Sequence, residues 1–130
     1  MKIAVDFDGT CVTHDFPAVG KEIGAADVLL ELSKKGHKLI LFTMRSDDVK
    51  KNQMYLTDAI NWFKKWRIPL YGIQSDPQQR SWTSSPKCYA EVYIDDAALG
   101  APLIYNPDLS DRPYVDWSVA RGFLRQKGAL

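Results

Sequence analysis

Asp6-Phe7-Asp8-Gly9-Thr10 follows directly on the apolar run Ile3-Ala4-Val5, and it constrains the chain more than any other feature. Residues two apart share one face of a strand. Two carboxylates therefore leave a strand end side by side, and at about 4 Å with an effective dielectric of about 20 such a pair repels by roughly 4 kcal/mol. That is a large part of a small domain's stability, so a metal, a proton or a substrate must be present to justify it. The loop after a buried parallel strand is where α/β folds place their chemistry, and a divalent cation resolves the conflict there.

With 130 residues the chain is expected to form a single domain, 1–130, large enough to bury a real core. A hydrophobic content of 45%, a charged content of 25% and a net charge of +1 describe an ordinary globular protein with no global attraction to nucleic acid or membrane. No apolar run approaches transmembrane length, and the N-terminus runs straight into a strand without the charged and apolar regions of a signal peptide; a cytoplasmic location is expected. Cys11 and Cys88 are too few and too unpatterned for a disulfide framework and read as free thiols.

Apolar runs alternate with helix-period segments, the pattern of a parallel sheet and here of a doubly wound, three-layer Rossmann-like α/β domain. A first strand is expected over Lys2–Phe7, then a loop or hairpin-like excursion from Gly9 to Gly24. Ala25, Val28, Leu29 and Leu32 recur at helical spacing before Gly36. Leu39-Ile40-Leu41-Phe42 reads as a second buried strand ending in Thr43. Asp47 or Asp48 is expected to cap a helix carrying Val49, Leu56, Ile60 and Phe63, ended by Pro69. Leu70–Ile73 is a third strand, Gln74–Pro86 a loop, and Val92-Tyr93-Ile94 a fourth strand ending in Asp95-Asp96. Asp116 caps a last helix carrying Trp117, Ala120, Phe123 and Leu124.

Right-handed crossovers bring the carboxyl ends of such strands to one edge. Asp6-x-Asp8-Gly9-Thr10, Thr43 ending an apolar strand, Lys87, and Asp95-Asp96 after another apolar strand together resemble the four ordered motifs of the haloacid dehalogenase-like phosphohydrolases. The resemblance spans Met1 to about Ala98 and is closest to the small, capless bacterial and phage hydrolases of that superfamily. It implies two-step phosphoryl transfer. Asp6 would be the nucleophile and form an aspartyl-phosphate. Asp8 would protonate the leaving oxygen and then deprotonate the attacking water. Mg²⁺ would be held by the Asp6 carboxylate, the Asp8 backbone carbonyl and Asp95, with Asp96 as a direct ligand or a supporting group. Thr43 and Lys87 would stabilise the phosphoryl charge, with Gly9, Thr10 and Met44 completing the phosphate cradle. In this superfamily dehalogenases lack the second aspartate and transport ATPases carry a threonine there, so Asp8 favours phosphate ester hydrolysis.

Other residues have competing readings. Lys34, Lys35 and Lys38 are formal alternatives to Lys87, whose position just before the fourth strand prefers it. Thr43 could satisfy backbone at a strand end, and Asp95-Asp96 could form a turn. Arg45 could contact a substrate anion or stand solvated at a helix start. His14 lies in the early loop beside the site, where it could touch substrate. Trp82 could stack on a ligand near the crevice. The side chains of Met44 and Met54 read as gap fillers. Trp62-Phe63-Lys64-Lys65-Trp66-Arg67 interleaves aromatics and bases as single-strand nucleic-acid surfaces do, yet on a helix it reads better as core stripe plus solvated face. Asp111-Arg112-Pro113-Tyr114 reads as a turn and is assigned no chemistry.

The expectation is a Mg²⁺-dependent phosphatase acting on a small or macromolecular phosphate ester. The alternatives are a nucleotidase or nucleic-acid-end phosphatase, and a phosphate- or metal-binding regulatory domain without turnover. Neither Gly9–Thr43 nor Met44–Pro86 has room for a cap domain. An open crevice walled by Cys11–Val19 and Gln74–Thr83 is therefore expected, suited to a large substrate or closed by another subunit of a homo-oligomer.

Overall fold

The computed structural model describes residues 1–130. Four parallel strands form its sheet, β1 (Lys2–Val5), β2 (Lys38–Leu41), β5 (Gly72–Ile73) and β6 (Val92–Ile94), in the order β5-β2-β1-β6. Two two-residue ribbons are added, β3 (Asp47–Asp48) with β4 (Gln53–Met54), and β7 (Leu103–Ile104) with β8 (Tyr114–Val115). Helices α1 (Ala25–Lys34), α2 (Tyr55–Lys65) and α3 (Trp117–Gln126) complete a Rossmann-like α/β fold.

The alternation of strand side chains decides where the layers lie. Ile3 and Val5 of β1 and Leu39 and Leu41 of β2 share the main core with Val28, Leu29 and Leu32 of α1, Ala59, Trp62 and Phe63 of α2, and Trp117, Ala120 and Leu124 of α3. All three helices thus cover one face. The opposite face presents Ala4 and Ile40, which meet Cys88 in a small second cluster. Its cover is the Gln74–Ala90 connection, which contains a single 3₁₀ turn, Gln79–Ser81, instead of a helix.

Hydrogen bonds, not periodicity, order that connection. The buried Gln79 side chain accepts from the Asp76 and Tyr89 amides and donates to the carbonyls of Ser85 and Lys87. The buried Asp76 carboxylate takes a 2.7 Å ion pair from Lys2.

Most elements follow the pattern in the sequence, with shifted ends. β1 stops at Val5, two residues before the expected end, and β5 keeps only Gly72 and Ile73. The largest shift concerns α2, which begins at Tyr55, so Val49 lies outside it on an exposed turn. Asp47 caps it from a distance: its carboxylate accepts from the Thr57 amide at 3.0 Å and the Thr57 hydroxyl at 2.6 Å. At the other end Arg67 takes a positive φ of 58°, which ends the helix before Pro69 is reached. Asp116 caps α3 as expected, accepting from the Ser118 and Val119 amides.

Candidate functional site

Parallel pairing carries the acidic residues to one edge. Val5 lies opposite Leu41 and Ile94, and the ladder continues through the Asp6 amide, which donates to the Ile94 carbonyl at 2.9 Å. Asp6 and Asp95 therefore leave neighbouring strands at the same level, with Thr43 one residue further along the third strand. Phe7 turns inward and packs edge-on against Trp62 with ring centroids 5.7 Å apart. Its burial in the core aims Asp6 and Asp8, on either side of it, the other way.

The crevice at this edge has a volume of about 530 Å³ and is lined by Asp6, Asp8, His14, Thr43, Asp95 and Asp96, with Phe16, Met44, Arg45, Ala97 and Arg112 around them. A second hollow, about 240 Å³ beside β6 and α3, has Asp95 as its one carboxylate and is otherwise mostly apolar. It offers burial without converging polar groups, so the chemistry belongs to the acidic crevice.

Asp6, Asp95 and Asp96 each present an oxygen within 4.8 Å of the others. Burial pushes the Asp6 carboxyl up to about 8; the Thr10 hydrogen bond pulls against this and the Asp95 charge adds to it. Three such carboxylates form a hard oxygen donor set of the kind divalent cations take.

Thr10 organises the first loop. It is fully buried, donates from Oγ1 to Asp6 Oδ2 at 2.8 Å and accepts from the Asp96 amide at 3.0 Å. Its carbonyl accepts from Trp117 Nε1 at 2.7 Å, which ties the motif to α3. Gly9 has φ +80°, and a Cβ there would run into the His14 ring and fall within 2.6 Å of Asp96 Oδ2. Only glycine fits that turn. His14 in turn lies 2.8 Å from Asp96 Oδ2 and fixes that carboxylate. The buried Cys11 thiol, pushed up by desolvation, donates to the Asp6 carbonyl at 3.3 Å.

Thr43 is braced by Gln74, whose side chain takes its amide at 2.9 Å and gives to its carbonyl at 2.7 Å. Thr43 Oγ1 accepts from the Arg45 amide at 3.1 Å, leaving its own hydrogen free for a ligand oxygen. Met44 is 96% exposed at the rim, so its side chain fills no gap. Arg45 is 2% exposed and grips Asp8 through two 2.8 Å bonds, and so stands neither in solvent nor free for a substrate anion.

Asp6, Asp8, His14, Thr43, Asp95 and Asp96 are thus brought together, with Gly9 and Thr10 as the frame behind them. Lys87 and Trp82 are not. Both line a separate hollow on the opposite sheet face, where Lys87 Nζ lies 5.6 Å from the Tyr93 ring centroid and Trp82 packs edge-on against Tyr89. The physical reason is the Gln79 side chain, which holds the Lys87 carbonyl and closes the loop on that face. The Gln74–Thr83 wall expected for the crevice is accordingly missing. Its place is taken by Arg112, on the connection between β7 and β8, an exposed cation with no ion pair of its own. The sequence carried one signal for it, a charge beside Pro113 in an otherwise unassigned turn, and nothing that located it. Trp62 and Phe63 are buried in the core while Lys64, Lys65 and Arg67 are exposed, so the aromatic-basic stretch is a packed helix end away from the crevice lining.

Fold and site together define a Rossmann-like α/β protein with an acidic crevice at the carboxyl edge of a parallel sheet. No protein-family model and no curated protein matches the chain. A solved structure of a conserved protein from Bacteroides thetaiotaomicron is 31% identical, with a TM-score of 0.75, and the match covers 98% of this chain and 91% of that one. The chain belongs to the same family as that conserved protein, a kinship that carries the fold and names no chemistry. No helix is long and apolar enough to cross a membrane.

Proposed function

We propose that the chain is a haloacid dehalogenase-like phosphohydrolase that cleaves a phosphate monoester through an aspartyl-phosphate on Asp6, in a capless Rossmann-like domain whose three helices lie on one face of the sheet, where a doubly wound, three-layer arrangement was expected. The observation that carries this reading is the convergence of Asp6, Asp8, Thr43, Asp95 and Asp96 from three adjacent parallel strand ends on one open crevice.

Asp6 is the nucleophile: its carboxylate oxygen bonds to phosphorus as the bond to the leaving oxygen breaks. Asp8 gives that oxygen its proton, then takes one from the water that hydrolyses the acyl phosphate. Thr10 orients Asp6, the free hydrogen of Thr43 bonds a phosphoryl oxygen, and Arg112 supplies the uncommitted positive charge for the anion.

Mg²⁺ fits the donor set of Asp6, Asp95 and Asp96, with the Asp8 carbonyl as a further oxygen. A carboxyl pushed up to about 8 is a poor nucleophile at neutral pH, and a cation beside it would restore the anion. When bound, the metal supplies charge neutralisation for the phosphoryl group.

The substrate is an accessible phosphate group, because no cap encloses the crevice: only the β3–β4 ribbon, α2, β5 and the Gln74–Ala90 connection lie between Thr43 and β6. A panel of sugar phosphates, nucleotides and phosphorylated peptides, assayed for phosphate release with Mg²⁺, tests the reading. Phosphorylated macromolecules are expected to outrun small esters in kcat/KM. A monomer with micromolar KM for a small sugar phosphate would contradict the open crevice.

A further inference from the structure

Arg45 has all five of its N–H groups occupied. Nε and Nη2 donate to the two oxygens of Asp8, both at 2.8 Å, Nη2 also to the Ala18 carbonyl at 2.7 Å, and Nη1 to the carbonyls of Pro17 at 3.3 Å and Tyr55 at 3.2 Å. Its guanidinium carbon lies 5.1 Å from the ring centroids of both Phe7 and Phe16. A guanidinium has five donors in a rigid fork, so none is left for a ligand. The Asp8 side chain has no other hydrogen-bond partner in the protein.

We infer that Arg45 is a positioning residue for Asp8, holding its carboxylate at the crevice by the same fork that pins the Phe16–Ala18 wall and the start of α2. The kinetic half of this inference rests on the phosphohydrolase reading. Three separate segments meet on the one guanidinium: the loop after β1, the Pro17-Ala18 backbone and the first residue of α2. A lysine would keep the charge yet offer a single nitrogen, too few donors to hold the carboxylate flat and satisfy three carbonyls. Two aromatic faces add shape to the slot, so the guanidinium has little room to rotate away from Asp8.

The test is a double-mutant cycle on Asp8→Asn and Arg45→Lys, read as kcat and KM for 4-nitrophenyl phosphate with Mg²⁺ and as urea stability. Arg45→Lys is expected to fold and to lose about 100-fold in kcat, the scale of a misplaced proton-transfer group, with KM within about threefold. Added to Asp8→Asn, it is expected to cause no further loss of kcat, because Arg45 acts through a side chain already removed. A double variant that loses the product of both single losses would overturn the inference, as would Arg45→Lys with wild-type kcat. Where Asp8→Asn turns over too slowly to read, the urea cycle decides: losses short of their sum support the tie, and simple additivity overturns it. A wild type without turnover would refute the phosphohydrolase reading instead, and the urea cycle would then judge the Arg45–Asp8 tie alone.

Discussion

The buried Thr10 hydroxyl donates to Asp6 Oδ2 at 2.8 Å while accepting the Asp96 amide at 3.0 Å, so one side chain holds the first and fourth strand ends together. Removing it leaves the Asp96 amide without its partner and Asp6 without the bond that opposes its burial. Thr10→Val is expected to cost about 1–3 kcal/mol in urea unfolding, the penalty of an orphaned buried donor. Thr10→Ser, which keeps the oxygen, should recover most of it. Equal stability for Thr10→Val and Thr10→Ser would show that the hydroxyl does not hold the site.

Asp6 predicts how stability without metal responds to pH. Its folded carboxyl is raised to about 8 from an ordinary 3.8, so at intermediate pH the folded chain keeps a proton that the unfolded chain has released. Stability therefore falls as pH rises through that window. The lowered carboxyls of Glu31, Asp47, Asp76 and Asp116, each held by hydrogen bonds, act in the opposite sense and only in acid. In EDTA the melting temperature should decline between about pH 5 and 8, and Asp6→Asn should flatten the slope. A wild-type melting temperature that rises across that interval would contradict the assignment.

Gly9→Ala brings together two penalties, a left-handed backbone at φ +80° and a methyl group driven against His14 and Asp96. The backbone part alone is worth about 1–2 kcal/mol. Thermal unfolding should show at least that loss, and turnover should fall with it because the displaced residues line the crevice. An unchanged melting temperature would mean that the loop has room the structure does not give it.

Two cations separate the site seen in space from the one read along the chain. Arg112→Ala is expected to raise KM for 4-nitrophenyl phosphate about tenfold, the scale of one charge-assisted hydrogen bond. Lys87→Ala should leave KM within about twofold, since Lys87 lies over Tyr93 on the other face. The reverse ranking, with Lys87 dominant, would require the Gln74–Ala90 connection to refold over the crevice.

The contrast also marks what could be read from the chain alone. Asp6, Asp8, Thr43 and Asp95-Asp96 were legible because each ends or follows an apolar run, and parallel pairing delivers strand ends to one edge whatever the loops do. The acidic trio needed only that rule. Lys87 and Arg112 sit in connections whose course is set by long-range hydrogen bonding, the buried Gln79 side chain for one and the β7–β8 ribbon pairing for the other. Neither has a period to read. Arg45 shows the same limit: its position two residues after Thr43 is visible, but the carbonyls of Pro17, Ala18 and Tyr55 that claim it come from segments far apart in the chain. Even a cap as ordinary as Asp47 on α2 was displaced, because an intervening hairpin returns the chain to it ten residues later.

Hydrolysis of 4-nitrophenyl phosphate by the wild type and by Asp6→Asn, each with Mg²⁺ and with EDTA, tests Asp6 as the nucleophile and Mg²⁺ as its cofactor. The wild type should turn over with Mg²⁺ and stop with EDTA, and Asp6→Asn should be inactive in both while keeping the wild-type circular dichroism, since it lacks the proposed nucleophile. Activity of Asp6→Asn near that of the wild type, or wild-type turnover undiminished by EDTA, would contradict the account.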